Sequence, residues 1–220
     1  MPPTGNRYFQ PHTEWNGIFT TRLVFLNPSD NTRRVVPHLR NRDGSEIGLS
    51  TFFVVNPLAV ASYTVESLFP VSDKGPGAGR IDLETPDGPL LIVALAVDSR
   101  TGAAAASAVG VGGAGLWSMP FYVESPGYWT GLAIANVGDK SSDVQITALD
   151  RSGTQLGQWT ERLDPQQSQT QLVAQWIRGL PVGTTGQITI KASSATALLA
   201  YFGTDDGLAL AAIPFTLIEP

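Results

Sequence analysis

The sequence predicts an all-β protein: two tandem antiparallel β-sandwich domains from an internal duplication, each with one short helical turn. Three observations carry that expectation. The sequence is written twice, its apolar residues alternate with a period of two, and clusters of Gly, Asp, Asn and Pro cut it into short runs.

The stretch "TRLVFLNPSDNTRRVVPHLRNRDGSEIG" (Thr21–Gly48) aligns without a gap to "TGLAIANVGDKSSDVQITALDRSGTQLG" (Thr130–Gly157). Identities fall at Thr21/Thr130, Leu23/Leu132, Asn27/Asn136, Asp30/Asp139, Val35/Val144, Arg42/Arg151, Gly44/Gly153 and Gly48/Gly157. Farther on, "VESLFP" matches "VAQWIRGLP", and "GRIDLETPDGPLLIVAL" matches "GQITIKASSATALLAYF". Gap-free blocks separated by slips of a residue or two are what a duplicated domain with variable loops leaves behind.

Within each copy the elements follow from alternation and punctuation. "RLVFLN" and "GLAIAN" are short apolar runs ending in Asn before a turn. "DVQITALD" sets Val144, Ile146 and Ala148 on one face against Gln145 and Thr147 on the other, and "QITIKA" does the same around Ile188 and Ile190. "NPSDN", "NRDGS", "DRSGT", "TPDGP" and "TDDG" supply turn residues, the Gly positions allowing the positive φ of tight hairpins. "VESLFP" and "LVAQWIRGLP" each read as one helical turn stopped by proline, with Trp176 in the core.

Gly110, Gly112 and Gly115 in "AVGVGGAGLW" have the G-x-G-x-x-G spacing of a dinucleotide-binding turn. That turn needs a long helix after it, and here Pro120 and Pro126 follow, each costing about 3 kcal/mol in a helix interior. The glycines instead fall between the copies. The domains are therefore expected at 1–109 and 116–220, joined by a Gly-rich linker at 110–115.

Hydrophobic residues make up 42% of the 220-residue chain, enough for packed cores and against disorder. Charged residues are only 15%, and Lys74, Lys140 and Lys191 are its lysines. A surface poor in Lys and Glu loses little side-chain entropy in contacts, which suits assembly or adhesion; a GC-rich genome exchanging Lys for Arg accounts for the same composition. The net charge of −5 speaks against nucleic acid, and the Arg33, Arg34, Arg40 and Arg42 cluster is interleaved with Asp30, Asp43 and Glu46, as on a solvated strand face. "PLLIVALAV" is far short of the ~20 apolar residues a spanning helix needs, so no membrane insertion is expected. Met1 is followed by Pro-Pro-Thr-Gly-Asn rather than a basic and then apolar stretch, so no signal peptide is read in this sequence.

Candidate chemistry is sparse. His12 and His38 both lie in the first copy, no G-x-S-x-G elbow or cysteine nucleophile accompanies them, and the acidic loops lack the spacing of a calcium loop. No catalytic residue, metal or cofactor is expected. Trp15 and Trp129 lie just before equivalent strands, with Tyr128 adjoining. Each ring either plugs the end of its sandwich or, if exposed, stacks on a sugar; two equivalent rings would make a bivalent binder.

"FTTRLVFLNPSD", "DGSEIG", "YTVESLFP" and "GRIDL" together resemble a repeat module common in large secreted bacterial proteins, which looks like tandem immunoglobulin-type β-sandwiches without an assigned activity. The second copy departs from it, with "NVGDK" for "NPSD" and "QWIRGLP" for "SLFP". The motifs are packing and turn residues, so the resemblance implies a fold and offers no catalytic residue. The expected function is a non-catalytic structural or adhesion module, secreted or at the cell surface, acting through protein partners or self-association as a repeating subunit of an assembly. The alternative is a carbohydrate-binding module that engages polysaccharide through Trp15, Tyr128 and Trp129.

Overall fold

The computed structural model describes residues 6–47, 51–71 and 74–219; Gly48, which closes the first aligned block, lies outside them. It is mostly strand and divides into two compact units, Met1–Val111 and Gly112–Pro220. No helix among the described residues is long and apolar enough to cross a membrane.

The first unit holds β1 (Asn6–Trp15), β2 (Phe19–Leu26), β3 (Arg33–Arg40), β4 (Phe53–Val55), β5 (Val60–Thr64), α1 (Val65–Leu68), β6 (Gly77–Thr85), β7 (Leu91–Asp98) and β8 (Ala104–Ala108). They form two antiparallel sheets, in the orders β1-β6-β3-β4 and β5-β2-β7-β8. Alternation decides what each sheet buries: Leu23 and Phe25 on β2, Ile92 and Ala94 on β7, Val35 and Leu39 on β3, and Ile81 and Leu83 on β6 meet in one core. Phe25, Phe53 and Tyr63 pack there edge to face and tilted, with centroids 4.6–6.2 Å apart. The helical turn α1 closes on a Phe69 N–H to Val65 carbonyl bond of 2.9 Å and stops before Pro70.

The second unit holds β9 (Gly113–Glu124), β10 (Tyr128–Asn136), β11 (Ser142–Asp150), β12 (Gln155–Leu163), β13 (Ser168–Leu172), α2 (Val173–Trp176), β14 (Thr184–Thr204), β15 (Leu210–Ile213) and β16 (Thr216–Glu219). Its pairings run parallel to those of the first unit: β9 with β14 as β1 with β6, β11 with β12 and β14 as β3 with β4 and β6, β10 with β13 and β14 as β2 with β5 and β7. One difference has a clear cause. The first unit separates β6 from β7 with "TPDGP", where Pro86 and Pro89 cannot donate to a ladder and Gly88 has φ 131°. The second unit has no proline or glycine there, so β14 runs on through a register shift between Ala192 and Thr196 and joins the unit's strands in one eight-stranded sheet. Trp176 of α2 is buried, donates from Nε1 to the Leu132 carbonyl at 3.2 Å, and meets Trp159 edge-on at 4.4 Å.

The division between the units falls within the expected linker 110–115, whose glycines are nonetheless engaged. The Gly110 carbonyl accepts from Phe9 N–H at 2.8 Å, and Gly113 and Gly115 already pair with Thr196 and Ala192 as the start of β9. Extended backbone needs no side chain to pair, so glycines that look like a tether enter the ladder. A strand, not a helix, follows them, and the helix N-terminus a dinucleotide site needs is not formed.

Both first strands carry the same irregularity. β1 slips register against β6 between Gln10 and Thr13, and β9 slips against β14 between Met119 and Tyr122, so Pro11-His12 and Pro120-Phe121 form bulges. Beside them, a Cβ on Gly79 would lie 2.5 Å from the Arg40 carbonyl oxygen, and one on Gly186 would fall on the Leu149 carbonyl oxygen.

Candidate functional site

The three aromatics singled out by sequence separate in the structure. Trp15 closes β1, opposite Gly77 of β6, whose missing side chain leaves room for the indole; the ring is 5% exposed and belongs to the first unit's core. Trp129 lies inside β10 opposite Gly203 and over Gly131, half-buried. Trp15 ends a first strand and Trp129 begins a second one, so the two do not hold equivalent positions, and the expected matched pair of rings is not formed. Tyr128, at 48% exposure, does reach solvent. Its ring stacks on Phe202 at 5.7 Å and 15°, and Phe202 meets Phe121 edge-on at 6.1 Å, giving the second unit an aromatic row Tyr128–Phe202–Phe121.

The histidines engage carboxylates on their own sheet: His12 Nε2 with Glu14 Oε1 at 2.8 Å, and His38 Nδ1 with Glu46 Oε1 at 2.9 Å. Two residues of the basic cluster are likewise paired, Arg40 with Asp82 at 2.9 Å and Arg34 with Asp87 at 4.0 Å. Asp82 also holds the fully buried Arg80, at 2.7 Å. No group of three or more His, Asp or Glu able to hold a metal occurs among the described residues.

Two surfaces remain that residue patterns had not marked. The first is the outward face of β5-β2-β7-β8. Leu26 sits between Val60 and Leu91, at 37%, 64% and 60% exposure; Val24 lies between Ser62 and Val93, and Arg22 between Thr64 and Leu95. On the far side of β7, Val93, Leu95 and Val97 face Ala108, Ala106 and Ala104 of the edge strand β8. Arg22 is the single charge on this face. The signal was "PLLIVALAV": a strand apolar at both alternating positions has two apolar faces, and its own core takes only one.

The second is a cleft of about 450 Å³ in the second unit, lined by the Pro120-Phe121 bulge, Tyr122, Val123, Asp150, Arg151 and the Thr185–Gln187 segment of β14. Tyr122 is buried and its hydroxyl has no hydrogen-bond partner. Burial, and then the negative charges of Asp150 and Glu124, raise its pKa, so it stays a neutral donor. Asp150 is held below the usual carboxylate range by the Ser152 hydroxyl and the backbone N–H groups of its turn. Arg151 donates from Nε to the Thr185 hydroxyl at 2.7 Å. The sequence trace of this site was Pro120 recurring one repeat after Pro11, a proline in a first strand, where it marks a bulge.

No family model matches the chain, and no curated protein matches it. Among solved structures it is similar to the crystal structure of Thermotoga maritima 1070, with 16% identity and a TM-score of 0.38 over 49% of this chain and 92% of the other. It is similar also to Bacteroides uniformis β-glucuronidase 2 in a calcium-binding mutant, with 9% identity, a TM-score of 0.19 and coverage of 94% of this chain and 26% of the enzyme. The same enzyme bound covalently to cyclophellitol-6-carboxylate aziridine matches at 8% identity and a TM-score of 0.19, again over 94% of this chain and 26% of the enzyme. At these scores the likenesses bear on neither ligand nor activity.

Proposed function

We propose that this chain is a non-catalytic structural module that works by binding protein surfaces, in the first place a second copy of itself. The carrying observation is the outward face of β5-β2-β7-β8, apolar over four strands with Arg22 as its one charge. With strands ~4.8 Å apart and like-facing residues ~6.8 Å apart, the face spans roughly 400 Å², the size at which an exposed patch on a monomer marks an interaction site. Two such faces in full overlap bury roughly 800 Å² together, the size of a weak contact that forms as concentration rises.

Shape favours a second copy. Leu91, Val93, Leu95 and Val97 form a ridge on β7, and Ala104, Ala106 and Ala108 a furrow on β8. A two-fold axis between β7 and β8 seats each ridge in the other copy's furrow and leaves β2 and β5, with Arg22, beyond that seat. β8 is also an edge strand without charge or proline, open to a further pairing.

Repetition fits this role. We infer that the two units are duplicates of one immunoglobulin-type sandwich, supported by the parallel strand pairings and the matched bulges beside Gly79 and Gly186. The low charge and the resemblance to secreted repeat modules favour a secreted or cell-surface assembly. The test is sedimentation velocity with negative-stain microscopy over about a hundredfold range of concentration. Dimers or longer assemblies are expected, and Leu91→Arg, exposed and therefore tolerated by the fold, disperses them. A wild-type monomer at every concentration, or assemblies indifferent to Leu91→Arg, overturns the reading.

A further inference from the structure

The cleft beside the Pro120-Phe121 bulge has the size of a small-ligand site, and its lining selects among ligand classes. Its polar groups alternate in role. Asp150 accepts, Arg151 donates, the Gln187 amide does both, and the Tyr122 hydroxyl is a buried donor with nothing to bond. An anion would face Asp150 and the nearby Glu124 charge; a cation would face Arg151. Vicinal hydroxyls on a neutral ring donate and accept at once and so match the whole set.

Phe121 supplies the apolar part. It is 41% exposed at the cleft edge and ends the aromatic row that runs through Phe202 to Tyr128. The C–H face of a pyranose stacks on such a ring while its hydroxyls turn toward polar groups. The first unit has nothing similar at the matching positions: His12, Thr13 and Asn41 stand where the second has Phe121, Tyr122 and Asp150. We propose that this cleft is a single binding site for a neutral oligosaccharide, with Phe121 as the stacking ring and Arg151, Asp150 and Tyr122 as the hydrogen-bonding groups. It uses neither Trp15 nor Trp129, and Tyr128 lies at the far end of the aromatic row, outside the cleft lining.

The experiment is isothermal titration calorimetry and saturation-transfer NMR on the full chain with cellohexaose, xylohexaose and mannohexaose, and with tetragalacturonate as the anionic comparison. At least one neutral oligosaccharide is expected to bind, one per chain. Phe121→Ala and Arg151→Ala, both at exposed positions, each weaken it about tenfold or more, and Tyr122→Phe, which removes one oxygen and keeps the ring, weakens it about fivefold. Failure of all three neutral probes overturns the site, as does binding of tetragalacturonate alone. So does neutral binding that survives both surface substitutions in chains with native circular dichroism.

Discussion

Asn27 and Asn136 do the same work in the two units. Asn27 Nδ2 lies 2.8, 3.0 and 3.1 Å from the carbonyls of Asn31, Val55 and Asn56; Asn136 Nδ2 lies 2.8, 3.1 and 3.0 Å from those of Lys140, Leu163 and Asp164. Each Oδ1 accepts a backbone N–H two residues on, from Ser29 and from Gly138. A fully buried amide thus ties the end of the second strand to the loop after it and to the end of the strand two further on, β4 in the first unit and β12 in the second. Replacing either by Ala orphans buried carbonyls and is expected to cost about 2–4 kcal/mol, read as a lower urea midpoint at unchanged slope.

Gly186 and Gly79 are predicted to tolerate no side chain. The added methyl of Gly186→Ala falls on the Leu149 carbonyl oxygen and that of Gly79→Ala on the Arg40 carbonyl oxygen, and backbone on both sides is locked in a ladder. Each substitution should cost about 3 kcal/mol or more, with Gly186→Ala the worse, and thermal unfolding by circular dichroism ranks them.

Asp82 is shared by Arg40 and Arg80 on the first unit's β1-β6-β3-β4 sheet. Removing its charge takes the Asp82 carboxylate away from a fully buried guanidinium, so Asp82→Asn is expected to destabilise by about 3–5 kcal/mol. The double variant Arg80→Met, Asp82→Leu should recover much of that loss. A chemical-denaturation double-mutant cycle measures it; equal losses in single and double variants would contradict the pairing.

Acid should weaken the first unit through Asp98. Hydrogen bonds from the Arg100 guanidinium, and then from the Arg100 and Thr101 N–H groups, hold its carboxyl down at about 2 from 3.8. A depressed folded value contributes stability that is complete above the unfolded value, near pH 4, and lost as pH falls toward 2. Urea midpoints between pH 7 and pH 2.5 should therefore fall less in Asp98→Asn than in the wild type, and the variant should start lower at pH 7.

How much of this was legible beforehand follows from range. Val144, Ile146 and Ala148 announced an inward face because alternation is a property of neighbours in the chain. Asn27 and Asn136 announced equivalence because the repeat aligns them. The helical turn at Val65 was visible in Pro70, which stops it; the turn at Val173 ends at Trp176, well ahead of Pro181. The strand β14 was not legible, since whether a chain bends into a turn or runs on as one strand depends on which strands flank it. Trp15 and Trp129 looked alike because both precede aligned strands, Trp15 a few residues before Thr21 and Trp129 directly before Thr130, yet burial is decided by Gly77 and Gly203 on partner strands.

Residue order alone shows which segments align, what alternates and where turns fall, because alternation and turns rest on side-chain period and backbone preferences within a few residues. Folding in three dimensions adds the rest: that the outward face of β5-β2-β7-β8 is bare, that Arg80 is buried on Asp82, and that Phe121, Arg151 and Gln187 converge on one cleft. Those facts depend on strand register across sheets, which brings together residues as far apart as Tyr122 and Gly186. Every strand presents two faces, and only its neighbours in space determine whether the second is covered or free to bind.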